Sequence, residues 1–362
     1  MASTAMQHTR MLSELGRTDE PLFGGKSASL GELLAGGIPV PPGFAIATSA
    51  FEAFVTETGL RERVAQTIRM LDPDDVRALR SVSGELADTV RSVPLPDAVA
   101  AEIARRYREL ADAVGEDEPP VAVRSSALGE DTEQATFAGQ QETYLWVRGA
   151  EYVCKTVRDC WASLYSPEAM SYRARLAPGE REPAMGVAVQ LMVDAAVAGV
   201  MFTCNPLNGD PSTVAVNASW GLGQAVVAGE VTPDEYRVSK VTGEVLHRAV
   251  ARKACEYRPD PAAAAAVMVE VEPERQEAPC LDEAQLQALV EVARRVERHF
   301  GGHQDIEWAI ARGRELPDAL FVLQSRPVTT VRRGERERPQ PRSAMELVMG
   351  TFGVTSDPPG RS

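Results

Sequence analysis

The spacing of apolar residues gives the chain two textures. Leu30, Leu33 and Leu34 form a short helical stripe that ends at Gly36 and Gly37, and "IPVPPGFAI" after it reads as extended chain stiffened by prolines. Ser49 and Glu52 stand at capping-box spacing and predict the start of the next helix. Val99, Ile103, Tyr107 and Leu110 fall on one face of a further helix, which "GEDEPP" breaks just before a strand expected over Val121 to Arg124. Beyond "LAPGEREPA", at 176–184, the pattern shortens to closely spaced strands: "MGVAVQLMV", "GVMFT", "STVAVNAS" and the hairpin "EYRVSKVTGEVLHR". A helix capped by Asp282 then carries Leu286, Leu289, Val290, Ala293 and Val296 to Phe300, where Gly301 and Gly302 stop it. Two alternating strands follow, "QDIEWAIA" and "LFVLQSRP". The pattern predicts an α+β chain with lobes at 1–184 and 185–330, no internal repeat, and a disordered tail over 331–362 in which "AMELVMG" is a candidate docking helix.

A length of 362 residues also favours two lobes over one core. No apolar run approaches the ~20 residues of a membrane span, and "MASTAMQHTRMLSELG" lacks the apolar centre of a signal peptide, so a cytoplasmic protein is expected. The formal net charge of −14 argues against nucleic acid or an anionic membrane as a partner. Any polyanion site must therefore gather positive charge locally. Cys154, Cys160, Cys204, Cys255 and Cys280 have no metal-ligand spacing and read as reduced thiols. A metal here is expected to be Mg²⁺ on oxygen ligands.

The candidate chemistry lies at a few places. "VRSSALGEDTEQATFAGQ" runs an apolar strand into Arg124 and then a small-residue loop, a combination of guanidinium fork and bare backbone N–H groups that suits a polyphosphate. Lys26 in "FGGKSAS" follows glycines at a helix start; Glu20 replaces the first glycine that a P-loop requires, so this is not that motif. Such a lysine can reach a phosphate as a point charge or lie solvated at the surface. In "QDIEWAIA" strand alternation puts Asp305 and Glu307 on one face, and in "LFVLQSRP" it does the same for Gln324 and Arg326. If these strands pair, Glu307 and Gln324 offer oxygens to Mg²⁺ and Arg326 offers a phosphate clamp. The same alternation also suits an ordinary amphipathic hairpin with a solvated polar face. Gly221, Gly223 and Gly229 permit a ligand to approach the backbone or simply turn the chain between strands. His299 and His303 flank a helix end, where His299 fits a helix-stabilising role.

Taken in order, "GGKSASLGELLAGGIPVPPGF", "VRSSALGEDTEQATFAGQQETY", "VAVQLMVDAAVAGVMFTCNP", "GLGQAVVAGEVTPDEYRV", "QDIEWAI" and "LQSRPVT" resemble the N-terminal nucleotide-binding domain of the phosphoenolpyruvate synthase and pyruvate phosphate dikinase family over about residues 20–330. The resemblance implies an ATP-grasp fold whose lobes close over ATP and Mg²⁺. It assigns Lys26 and Arg124 to the ATP phosphates, with a loop containing Gly139 and Thr143 over them. Gln190, Met192 and Val193 would line the adenine pocket. Glu307 and Gln324 would ligate Mg²⁺ with Asp305 in support, and Arg326 would bind phosphate in the transition state. "SSALGED" stands where relatives more often read "SSATAED", a change that leaves the charged set intact.

In that family the domain passes phosphate from ATP to a histidine on a separate swivelling domain, releasing AMP and phosphate. Nothing here resembles the Thr-Ser-His-Ala type motif that carries the phosphohistidine, and His303 falls where the family more often has proline. Either the chain is a fragment or the carrier histidine belongs to another polypeptide; the polar tail favours the second, so a separate histidine-bearing subunit is the expected partner. In extent the chain is similar to the ATP-binding subunit of phenylphosphate synthase and of cresol-phosphorylating systems, which implies a phenol or aromatic alcohol as final acceptor. Pyruvate, an antibiotic or another hydroxyl compound are alternatives. An ATP-grasp ligase or a non-catalytic ATP-sensing subunit would share the fold; the former lacks the "RSSA", "FAGQ" and "QSRP" set, and the latter would not need its charged residues.

Overall fold

A computed structural model describes residues 7–72, 74–127, 142–175, 184–260 and 265–328. Gly139 and the tail beyond residue 328 lie outside them. The described residues form an α+β chain of two compact units, the first built from the N-terminus to Glu32 and from Pro42 to Met192, the second from Leu33–Pro41 and Val193 onward.

In the first unit the strands are β1 (Thr9–Met11), β2 (Gly43–Ile46), β3 (Val121–Ala127), β4 (Thr143–Val147) and β5 (Met185–Leu191). Its helices are α1 (Glu20–Phe23), α2 (Gly25–Ala35, whose last turn belongs to the second unit), α3 (Thr48–Glu57), α4 (Leu60–Met70), α5 (Val76–Ser92), α6 (Asp97–Val114), α7 (Ala150–Ala162) and α8 (Pro167–Arg175). The sheet runs in the order β1-β2-β5-β3-β4. Strand alternation sends Phe44, Ile46, Val121, Val123, Val187 and Val189 into one apolar core, where they meet Phe54, Leu86, Ile103, Leu110 and Trp161. Trp161 packs edge-on to Phe51 at 5.5 Å and donates its indole N–H to the Met185 carbonyl at 3.2 Å. The opposite face is lined by small and polar residues. Gly43, Gln190 and Ala122 form one row across it, and Ala45, Ala188, Arg124 and Thr143 the next.

Two expectations change here. The apolar run Met185–Leu191 was assigned to the second lobe by the boundary at 184/185, whereas β5 inserts between β2 and β3 of the first unit and the division falls after Met192. Ser49 and Glu52 do not cap α3. Its N-cap is Ala47, while Ser49 Oγ bonds His8 Nδ1 at 2.9 Å and Glu52 pairs with Arg61. The predicted stripe of α6 is buried as expected: Val99, Ile103, Tyr107 and Leu110 all lie in the core.

The second unit contains β6 (Ala195–Phe202), β7 (Thr213–Trp220), α9 (Gln224–Val227), β8 (Asp234–Ser239), β9 (Val245–Ala249), β10 (Cys255–Asp260), β11 (Ala265–Glu270), α10 (Pro273–Gln276), α11 (Glu283–Phe300), β12 (Gln304–Ala311) and β13 (Leu320–Pro327). Its antiparallel sheet has the order β13-β12-β6-β7-β8-β9, with β10 and β11 as a separate ribbon. Asp282 accepts from the Gln285 N–H and Gly301, at φ 72°, ends α11 in the left-handed region, so the cap and stop read from sequence hold. The segment 33–41 is fastened within this unit: Arg295 donates to the Gly37 carbonyl at 2.6 Å and the Val322 N–H to the Pro39 carbonyl at 2.7 Å. A Cβ at Gly36 would lie 2.8 Å from His299 Nδ1, so that histidine packs on this segment as well as ending α11.

Candidate functional site

In the first unit the two motifs singled out around Lys26 and Arg124 are one construction. A Cβ at Gly24 would lie 2.0 Å from the Ser126 carbonyl oxygen, and Gly24 itself sits at φ 81°, so only glycine brings the start of α2 this close to β3. Ser27 completes the joint, its N–H reaching Ser126 Oγ at 3.2 Å. Lys26 is thereby buried to 4% exposure with Nζ donating to the Ser125 carbonyl at 2.8 Å, which rules out a solvated surface lysine. Lys26 itself stands in the first turn of α2, where the helix dipole favours an anion. Arg124, half-buried, stands in the row that includes the exposed Thr143. Gln190 is buried one row along, with Nε2 lacking a hydrogen-bond partner. Met192 follows, half-buried, its N–H bonded to the Pro120 carbonyl at 2.9 Å. Val193, buried, belongs to the second unit.

In the second unit β12 and β13 pair with Asp305 opposite Arg326 and Glu307 opposite Gln324, so all four share one face as strand alternation predicts. A bulge after Glu307 adjusts the register beyond them. The face is not the solvated side of an ordinary hairpin. Asp305 is 8% and Gln324 3% exposed, and neither Asp305 Oδ1 nor Gln324 Oε1 has a hydrogen-bond partner. Two buried oxygens without donors, beside a second carboxylate, form an environment that a divalent cation satisfies. Burial first and the adjacent Glu307 second push the Asp305 carboxyl up to about 7, against the opposing pull of Arg326. Asn217, 3% exposed, extends the Gln324–Glu307 row through Val200. The sequence signal for it was a polar residue at an interior position of an apolar strand.

The loop glycines behave differently. Gly221, at φ 70°, lets the Tyr257 carbonyl approach to 2.4 Å of where its Cβ would be, so this close contact is with the protein's own backbone. Gly223 has ordinary helical angles and only van der Waals contact there.

The shift at Asp305 has a measurable consequence. Its carboxyl holds a proton more tightly folded than unfolded, so the stabilisation is complete below the ordinary aspartate range and is lost as pH rises through about 7. In cation-free buffer, the melting temperature is expected to fall as pH rises through this range, and Asp305→Asn should flatten that fall. Added Mg²⁺ should restore stability on the alkaline side. An identical pH profile for the variant would remove Asp305 from this role.

Residues 20–346 match the model of the pyruvate phosphate dikinase AMP/ATP-binding domain. A probable phosphoenolpyruvate synthase of Methanothermobacter thermautotrophicus is 41% identical over 350 residues, covering 97% of this chain and 50% of that protein. The phosphoenolpyruvate synthase of Pyrococcus furiosus is 36% identical, with 91% of this chain and 44% of the relative covered. That of Aeropyrum pernix is 39% identical, covering 90% and 43%. The chain thus spans half or less of the length of these relatives. On these matches, it belongs to the pyruvate phosphate dikinase AMP/ATP-binding domain family.

Proposed function

We propose that this chain is the ATP-binding component of a dikinase-type phosphotransferase with an ATP-grasp fold, which phosphorylates a histidine on a separate subunit and releases AMP and phosphate. The observation that carries most weight is the buried face of β12 and β13, where Asp305 Oδ1 and Gln324 Oε1 lie without donors beside Glu307 and Arg326. Glu307 and Gln324 would hold Mg²⁺ and Asp305 would support them. When bound, Mg²⁺ supplies charge neutralisation at the phosphate oxygens. Lys26 and Arg124 bind and orient the polyphosphate, with Thr143 beside them; Gly139, assigned to the same role by the family resemblance, lies outside the described residues. Gln190, Met192 and Val193 hold the nucleoside. Arg326 takes up the negative charge that grows on the transferred phosphoryl group. Positioning and electrostatics, with no covalent intermediate on this chain, suffice for such a step.

The final acceptor on this reading is a phenol or aromatic alcohol. The names of the relatives favour a second reading, in which the acceptor is the one used by phosphoenolpyruvate synthases. Both require the same first half-reaction. Purified chain, ATP and Mg²⁺ are therefore expected to form AMP and phosphate only when a histidine-bearing partner is present. Formation of ADP alone, with or without that partner, would contradict the proposal.

A further inference from the structure

Trp146, in β4, combines two unfavourable features. At φ 63° it is a non-glycine residue in the left-handed region, where a bulky side chain is strained. The residue is 5% exposed, and the indole N–H is buried without an acceptor. The strained backbone coincides with a break in the register. Val147 pairs with Val121 and Tyr144 with Val123, so Leu145 and Trp146 together oppose the single residue Ala122, which makes a β-bulge. Ala122 is also the ladder partner of Gln190, whose Nε2 is likewise buried without a partner. A row of the sheet therefore carries orphaned donors on both sides of Ala122, next to the row of Arg124 and Thr143.

Two buried donors with no acceptor between them call for a ligand that brings acceptors. Ala122 stands two residues from Arg124, a separation of roughly 7 Å along a strand. One row along the sheet from the phosphate-binding Arg124, the group in question is the nucleoside end of a nucleotide.

We propose that Trp146 is a specificity-determining residue of the nucleotide site, donating its indole N–H to an acceptor on the base or ribose; this presupposes the ATP site proposed above. Because the N–H is shut off from water, the nucleotide must turn the ring as it binds.

The experiment is titration calorimetry of the full chain with ATP and, separately, with inorganic tripolyphosphate, together with thermal melts of the free protein. Trp146→Phe keeps an aromatic ring, though a smaller one, and removes the donor. It is expected to weaken ATP binding about tenfold, the loss of roughly one hydrogen bond, while leaving tripolyphosphate affinity unchanged; the melt of the free protein reads the cost of the smaller ring separately. Trp146→His, which restores a ring N–H and tolerates the left-handed region, should bind ATP more tightly than Trp146→Phe; it also provides the comparison if the phenylalanine variant folds poorly. Equal ATP affinity in the wild type and Trp146→Phe, or equal weakening for ATP and tripolyphosphate, overturns the assignment. Failure of the wild type itself to bind ATP would instead overturn the ATP site.

Discussion

Replacing Arg326 by alanine is expected to lower phosphoryl transfer by about 10²–10³-fold, the usual cost of removing a preorganised donor from a transition state. The guanidinium lies opposite Asp305 and on the face that carries Glu307 and Gln324. Arg326 is only half-buried, near the end of β13, so its truncation opens no closed cavity in the core. The variant should therefore fold, and its far-ultraviolet circular dichroism should match the wild type. Its absence also removes the influence that lowers the Asp305 pKa, so the carboxyl should move further up and the pH dependence of stability should shift with it. Arg326→Lys retains a charge but loses the planar fork, so intermediate activity is expected. Glu307→Ala should lose transfer to a similar extent by removing a ligand of the cation. Near-normal turnover in both alanine variants would exclude the clamp and metal roles together.

The largest effect on stability is expected at Asp234→Ala. Asp234 and Lys253 are both fully buried, their charges 2.5 Å apart. The carboxylate also accepts from the Ala251 N–H at 3.0 Å, the Cys280 N–H at 2.7 Å and the Tyr236 hydroxyl at 3.1 Å. It thus ties the start of β8 to the segments that lead into β10 and α11. Truncation leaves the Lys253 ammonium buried without its counter-charge and the other donors unmet, a loss of ~3–5 kcal/mol. Urea unfolding should report it as a lower midpoint. Lys253→Met is expected to cost less, because the carboxylate keeps its other donors. A change under ~1 kcal/mol for Asp234→Ala would mean that water or a rearranged partner reaches Lys253.

Local patterns were legible where a local interaction decides the structure. The cap at Asp282, the stop at Gly301 and the alternation of β12 and β13 each depend on residues within a few positions, and each is present. The convergence of Asp305, Glu307, Gln324 and Arg326 followed from alternation once the strands paired. Long-range choices were not legible. Ser49 was recruited by His8 rather than by its own helix, and β5 was drawn between β2 and β3 although its apolar run looks like those that follow it. Burial of Lys26 needed the docking of Gly24 on Ser126, which no spacing announces. The Asp234–Lys253 pair and the bulge at Trp146 were silent for the same reason: their energetics depend on what surrounds them, not on what precedes them in the chain.

The most direct measurement uses ATP labelled separately at the β- and γ-phosphorus, incubated with the chain, Mg²⁺ and the histidine-bearing partner. The expected result is acid-labile β-label on the partner, γ-label in free phosphate and AMP as the nucleotide product. A γ-label on the partner with ADP as product would show an ordinary kinase step and contradict the dikinase chemistry proposed for this chain.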